Sequence, residues 1–135
     1  MSSPKPAQTH QNRACISIDH PSCATTATFN VLHCTRAFIV DSVYYTNPTG
    51  LAEDTTNTFA GVVKKGSTTF ATLFDTDSDN PGTNTLPAGT WVAGVLDADS
   101  TKYAFEPGDD LVLVFTEGGN STLPAGRLVC EVRYV

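Results

Sequence analysis

Three carboxylates stand at alternate positions in Asp75-Thr76-Asp77-Ser78-Asp79. That spacing lets carboxylates converge on one hard cation such as calcium. The remainder of a calcium loop is missing: Asn80 stands where its glycine belongs and Leu86 where its bidentate glutamate belongs. A solvated acidic turn between strands is the expected reading. A second group gathers Cys15, His20, Cys23, His33 and Cys34 in the first third of the chain. Zinc sites commonly use a pair of cysteines two to four residues apart, and no two of these cysteines are so close. His33 and Cys34 are neighbours, so an extended chain points them to opposite faces. No metal or cofactor is expected. Cys15, Cys23, Cys34 and Cys130 are expected as thiols packed like small apolar groups. Disulfides stay open, with Cys130 facing Cys34 or another of the N-terminal cysteines, because an oxidising surface would allow them.

Covalent catalysis needs a nucleophile, a base and a sharp turn to present them. The chain has no G-x-S-x-G elbow, and His10, His20 and His33 all lie in its first quarter. A Cys–His dyad such as Cys34 with His20 is a candidate by residue type alone. Glu53/Asp54 and Asp109/Asp110 are sequence neighbours in turns, whereas acid–base pairs need contrasting environments and a cleft. No glycine-rich loop follows a strand and opens a helix, so nucleotide binding has no support. Trp91, Tyr44, Tyr45, Tyr103 and Tyr134 could stack against sugars, although a single tryptophan on a strand is expected in the core. A protein that is not an enzyme is expected.

The elements that would carry these residues are β-strands. The 135 residues suit one domain, and a chain of that length buries roughly two-thirds of its unfolded surface, enough for a core without staples. Charged residues make up only 16% of the chain, against a usual value of about 25%. The net charge is −6, which repels phosphate and argues against nucleic acid as a partner. No apolar run approaches the ~20 residues that span a bilayer, so no membrane partner is expected. The opening MSSPKPAQTHQNRA has no apolar stretch, so synthesis and retention in a cytosol are expected.

Along the chain, residues 1–34 are expected as a flexible or extended N-terminal arm, with a short strand at Ala14–Ile18 and an extended stretch at Ala27–Leu32. Residues 35–135 are expected as a β-sandwich. RAFIVDSVYYT alternates as a strand does, and Asn47-Pro48-Thr49-Gly50 is a turn. FAGVVKK and TTFATLF flank Gly66-Ser67 as a hairpin. TWVAGVL, DLVLVF and RLVCEVRYV follow as strands, the first two apolar enough to be covered on both faces. DADSTKYA is a connector, with one helical turn capped by Asp97 or Asp99.

The pentapeptide TLPAG occurs twice, at Thr85–Gly89 and Thr122–Gly126, and FEPGD uses a related form. Each places an apolar residue (Leu86, Phe105, Leu123) before a proline turn. Proline cannot donate to a ladder, so it sits where pairing has not begun. The leading apolar residue is expected to tuck under the turn and close an end of the core. Short strands behind such turns argue an all-β fold, an antiparallel β-sandwich or jelly roll.

The block YYTNPTGL, ATLFDTDS, FEPGDDLVLVF and STLPAGRLVCEVRYV, spanning Tyr44 to Val135, resembles capsid decoration, or cement, proteins of tailed bacteriophages. The resemblance implies a compact β-sandwich or jelly-roll body on the outer surface of a virion capsid. It implies binding to the major capsid protein, bridging of adjacent capsomers, and assembly as a homo-oligomer, a trimer above others. The segment before Thr35 does not carry the resemblance and is expected to reach a neighbour. Cys15, Ile16, Ile18, Phe29, Val31 and Leu32 are the expected contact residues. The alternative is a glycan-binding or adhesion module of a virion appendage, which an exposed Trp91 would favour.

Overall fold

The computed structural model describes residues 12–81 and 84–135. Ten strands make up almost all of its regular structure: β1 (Arg13–His20), β2 (Ala27–His33), β3 (Phe38–Thr46), β4 (Thr58–Lys65), β5 (Thr68–Asp75), β6 (Val92–Ala93), β7 (Val95–Leu96), β8 (Ala104–Phe105), β9 (Asp110–Gly118) and β10 (Gly126–Tyr134). The protein is an all-β domain of two antiparallel sheets, an arrangement consistent with a β-sandwich. The first sheet runs β1-β10-β3-β6, with β8 also on β3, and the second runs β2-β9-β4-β5-β7.

Alternation decides which side chains face inward. On β10, Leu128, Cys130 and Val132 are buried while Arg127, Glu131 and Arg133 are exposed. On β3, Phe38, Val40, Val43 and Tyr45 are buried. The β10 partners shift between Glu131 and Val132, a bulge that keeps both runs of β3 facing the core. β9 is covered most fully, with Leu111, Val112, Leu113 and Phe115 all buried, as expected of an apolar strand inside a sheet. Aromatic rings fill the space between the sheets: Phe115 meets Tyr45, Phe74 and Phe29, and Phe38 stacks on Phe105 at 4.7 Å. Each such ring contributes about 1.5–3 kcal/mol when fully buried.

The proline lead-ins do what their composition suggests. Leu86, Phe105 and Leu123 are at most 1% exposed. Leu86 exchanges backbone hydrogen bonds with Leu51, Leu123 does so with Cys23, and Phe105 pairs with Phe38. Gly89 and Gly108 take positive φ. Gly126 does not, and its role is space: a Cβ there would lie 2.5 Å from the Tyr45 hydroxyl and 2.7 Å from the Thr46 carbonyl.

Two expectations give way. The expected arm of residues 1–34 is not an arm from Arg13 onward, although its expected strands at Ala14–Ile18 and Ala27–Leu32 do form, within β1 and β2. β1 pairs with β10 along its whole length and β2 pairs with β9, so each sheet has one of these strands at its edge. Only residues 1–11 of the expected arm lie outside the described residues. The two short apolar runs inside the segment found partners that are distant in sequence. TWVAGVL is also not one covered strand. It breaks at Gly94 into β6 on the first sheet and β7 on the second, leaving Trp91 and Val95 exposed. This crossing staples one side of the molecule. On the other side β1 and β2 lie near each other, and no described strand bridges them.

Candidate functional site

The open side between β1 and β2 gathers most of the expected contact residues. On β1, Ile16 and Ile18 face inward beside Ala14, and on β2 Phe29, Val31 and Leu32 do the same. All five pack against the core yet stay only part-buried, because an edge strand has a neighbour on one side only. Cys15 points the other way, exposed on the outer face of the first sheet, opposite Glu131. The irregular register of β2 between Asn30 and Leu32 explains why Val31 and Leu32, adjacent in sequence, are both part-buried.

A second surface lies on the outer face of the first sheet. Tyr44, Val129 and Ser17 sit in one cross-strand row. Trp91, 49% exposed, joins Tyr44 and Val129 in a shallow apolar depression. The neighbouring rows are polar. Arg127 Nε donates to Asp19 Oδ1 at 2.6 Å and its Nη2 to Oδ2 at 3.2 Å, and Ser42 donates to Glu131 at 2.8 Å. The Arg127 guanidinium holds the Asp19 carboxyl below its ordinary range. The sequence names Trp91 and Tyr44 but expects tryptophan in the core. The signal available was alternation: Tyr45 is buried, so Tyr44 must face outward. Val129 carries no such signal alone, because it takes its place from the β3–β10 register.

Behind these surfaces sits a polar knot. His20 is buried against Phe115 and Phe29. Its Nδ1 lies 2.8 Å from the Pro21 carbonyl and its Nε2 lies 2.6 Å from the Tyr45 hydroxyl. A carbonyl only accepts, so Nδ1 carries the proton and Nε2 accepts from Tyr45. Asn47 donates to the Tyr45 hydroxyl at 3.2 Å and to the Pro124 carbonyl at 2.7 Å. Its Oδ1 accepts from Thr49 and Gly50. Asn47 thus ties the NPTG turn to the second LPAG turn. Burial pushes the His20 pKa down and the Tyr45 pKa up to about 12. The knot is hydrogen-bonded throughout and serves as support for the fold.

The other candidate residues do not converge. His20 and Cys34 make their side-chain hydrogen bonds to other groups, Cys34 donating to the Arg36 carbonyl. Asp75 accepts from the Asp77 backbone and from Asn80, and Asp77 accepts from Asp79. The aspartates shape their own turn, and among the described residues no three His, Cys, Asp or Glu side chains are grouped to hold a metal. The four cysteines are free thiols, Cys23, Cys34 and Cys130 buried. Burial pushes the Cys130 thiol up to about 12. Tyr45 is taken up by the network, Tyr103 packs part-buried against the core, and Tyr134 receives the Arg36 guanidinium over its ring at 4.4 Å. Comparison with known proteins finds no matching family, no matching curated protein and no matching solved structure.

Proposed function

We propose that this chain is a structural virion protein, a decoration or cement protein that binds the outside of a tailed-phage capsid through the major capsid protein and bridges adjacent capsomers. It acts by gripping, without catalysis. The reading rests on the resemblance carried by the NPTGL, PGD and LPAGR segments, all of which prove to be turns and core closures. The observation that supports it best is the open side: two edge strands with part-buried Ile16, Ile18, Phe29, Val31 and Leu32 between them. Free strand edges beside part-buried apolar side chains are a means of taking up a partner.

The connectivity supports a jelly roll as the finer fold. With β6 and β8 taken as two pieces of one strand on β3, and the two-residue β7 beside β5 set aside, eight main strands remain. Their pairings are then first with last (β1·β10), second with seventh (β2·β9), third with sixth (β3·β6 and β3·β8) and fourth with fifth (β4·β5). That is one long hairpin rolled up, the connectivity of jelly rolls, which occur in viral capsid proteins and lectins. Fold alone does not assign function.

The test is co-sedimentation with expanded shells of the phage that encodes the chain, stripped of it, and with unexpanded precursor shells. Saturable binding to the expanded shell alone is expected, and Phe29→Lys should abolish it. Absence of binding to either shell overturns the reading. One observation favours a second reading: the exposed Trp91 beside Tyr44 and Val129 offers a face on which a sugar ring can stack. Quenching or blue-shift of Trp91 fluorescence by a soluble glycan, lost in Tyr44→Ala, would support a glycan-binding module of a virion appendage instead.

A further inference from the structure

We infer that two copies of this chain join edge to edge through β1, antiparallel about a two-fold axis at Ile16, so that the first sheets of both run on as one. The inference gives the β1 part of the proposed contact surface, Ile16 and Ile18, to a second copy and leaves the β2 part, Phe29, Val31 and Leu32, to the shell.

The backbone identifies the free groups. Tyr134 N donates to the Asn12 carbonyl at 2.7 Å. Asn12 and Tyr134 are therefore a hydrogen-bonded pair, and such pairs alternate along an antiparallel ladder. Because β1 follows β10 without a register shift, Ala14, Ile16, Ile18 and His20 turn their N–H and C=O toward β10. Those of Arg13, Cys15, Ser17 and Asp19 point the other way, to an edge that no described strand covers. A strand edge of this length, carrying no proline, is a template for another strand.

The side chains select the occupant and the register. Opposed residues must share a face, so a self-pairing must set odd positions against odd. Centred on Ile16, the pairing sets Arg13 against the second copy's Asp19 at both ends, and Cys15 against its Ser17. On the inner face it sets Ala14 against Ile18 and Ile16 against itself. Opposite charges meet, apolar groups meet, and all four outward-pointing residues of each strand find backbone partners. Opposed pairs of this kind add to the stability of the ladder itself. The neighbouring registers fail. Centring on Ser17 sets Arg13 against Pro21, which has no N–H to give, and Cys15 against Asp19. Centring on Cys15 sets Arg13 against Ser17 and loses the ion pairs. Within one chain Asp19 already bonds Arg127, while Arg13 lies opposite Arg133 and shares Asp41 with it, so the second copy's Asp19 brings a further negative charge to a pair of arginines. The pairing also covers Ile16 and Ile18, which one copy leaves part-buried.

The experiment uses the full chain. Sedimentation equilibrium should give the mass of two chains. In a Cys15→Ser background, Ile16→Cys should form a covalent dimer on mild oxidation, because the residue at the axis of a non-hydrogen-bonded pair has its mate about 4.5 Å away between Cα atoms. Ala14→Cys in the same background should not. Asp19→Arg should weaken self-association by roughly tenfold or more through opposed like charges, and adding Arg13→Asp should restore it. The charge series involves exposed side chains only, so it reads out even if Ile16→Cys does not fold. A monomer at all accessible concentrations, a three-chain mass without the Ile16→Cys bridge, cross-linking of Ala14→Cys, or no rescue by the charge exchange would each overturn the inference.

Discussion

His20 is the residue at which solution conditions act on the fold most directly. Burial among Phe29, Tyr45 and Phe115 disfavours the imidazolium, so the folded pKa lies below the ordinary value of about 6.5. The Asp19 carboxylate next to it pulls the other way but is outweighed. Between the depressed folded pKa and about 6.5 the unfolded chain binds the proton more readily. The stabilising contribution is therefore complete above pH 6.5 and is lost as pH falls through the folded value. Urea midpoints for the native chain should fall between pH 7.5 and 5.5, and His20→Gln should start lower and change less over that interval. Asp19, Asp54, Asp97 and Asp99, all lowered by hydrogen bonds or ion pairs, lose their contributions only at more acid pH. Trp91 is the contrasting case. Half exposed, it adds little to the fold, and Trp91→Ala should leave stability within about 0.5 kcal/mol of the native chain by thermal melting. A larger loss would return Trp91 to the structural role expected of a lone tryptophan.

At the scale of elements, the turns are where sequence and fold agree best. Proline with a preceding apolar residue is a local code, and Leu86, Phe105 and Leu123 obey it. The β4–β5 hairpin across Gly66-Ser67 also forms where expected, as does a 3₁₀ turn at Ser100–Tyr103, capped by Asp99, whose side chain accepts from the Thr101 amide. Leu123→Ala should cost about 2–5 kcal/mol by chemical denaturation, as for other buried leucines. Asn47→Ala should cost about 1–3 kcal/mol, because the Pro124 carbonyl and the amides of Thr49 and Gly50 lose their partner together. That second cost was not legible in the sequence, where NPTG reads only as a turn. What makes Asn47 expensive is the arrival of Pro124 from 77 residues away. The same distance hid the open side. Alternation marks Ile16, Ile18 and Phe29 as one-sided strand residues, but only the β1–β10 and β2–β9 registers put them on one flank. TWVAGVL misled for a local reason. Gly94 lies where a Cβ would run into Val43 and Leu73, so the chain can pass closely from one sheet to the other there, and a window of apolar residues does not reveal that.

For the molecule as a whole, the wound connectivity makes the first and last strands each other's neighbours. β1 caps the edge of β10, and β2 caps the edge of β9, the most buried strand. The fold therefore cannot spare β1 and β2, whatever partner those strands also serve. A chain beginning at Thr35 should not fold: Leu128, Cys130 and Val132 on β10 and Leu111, Leu113 and Phe115 on β9 would lose part of their cover, and the His20 end of the polar knot would vanish. Circular dichroism and dispersion of amide resonances measure this directly, and a folded product would restore residues 1–34 to the status of an arm. Pairing of first strand with last also requires closure of nearly the full chain before the ladder rewards it, which slows folding into the millisecond-to-second range typical of such topologies. Stopped-flow refolding should show that slow phase, and Ile18→Val on β1 should speed unfolding more than it slows folding, since the outermost pairing of a rolled hairpin forms after its centre, β4 with β5, has closed.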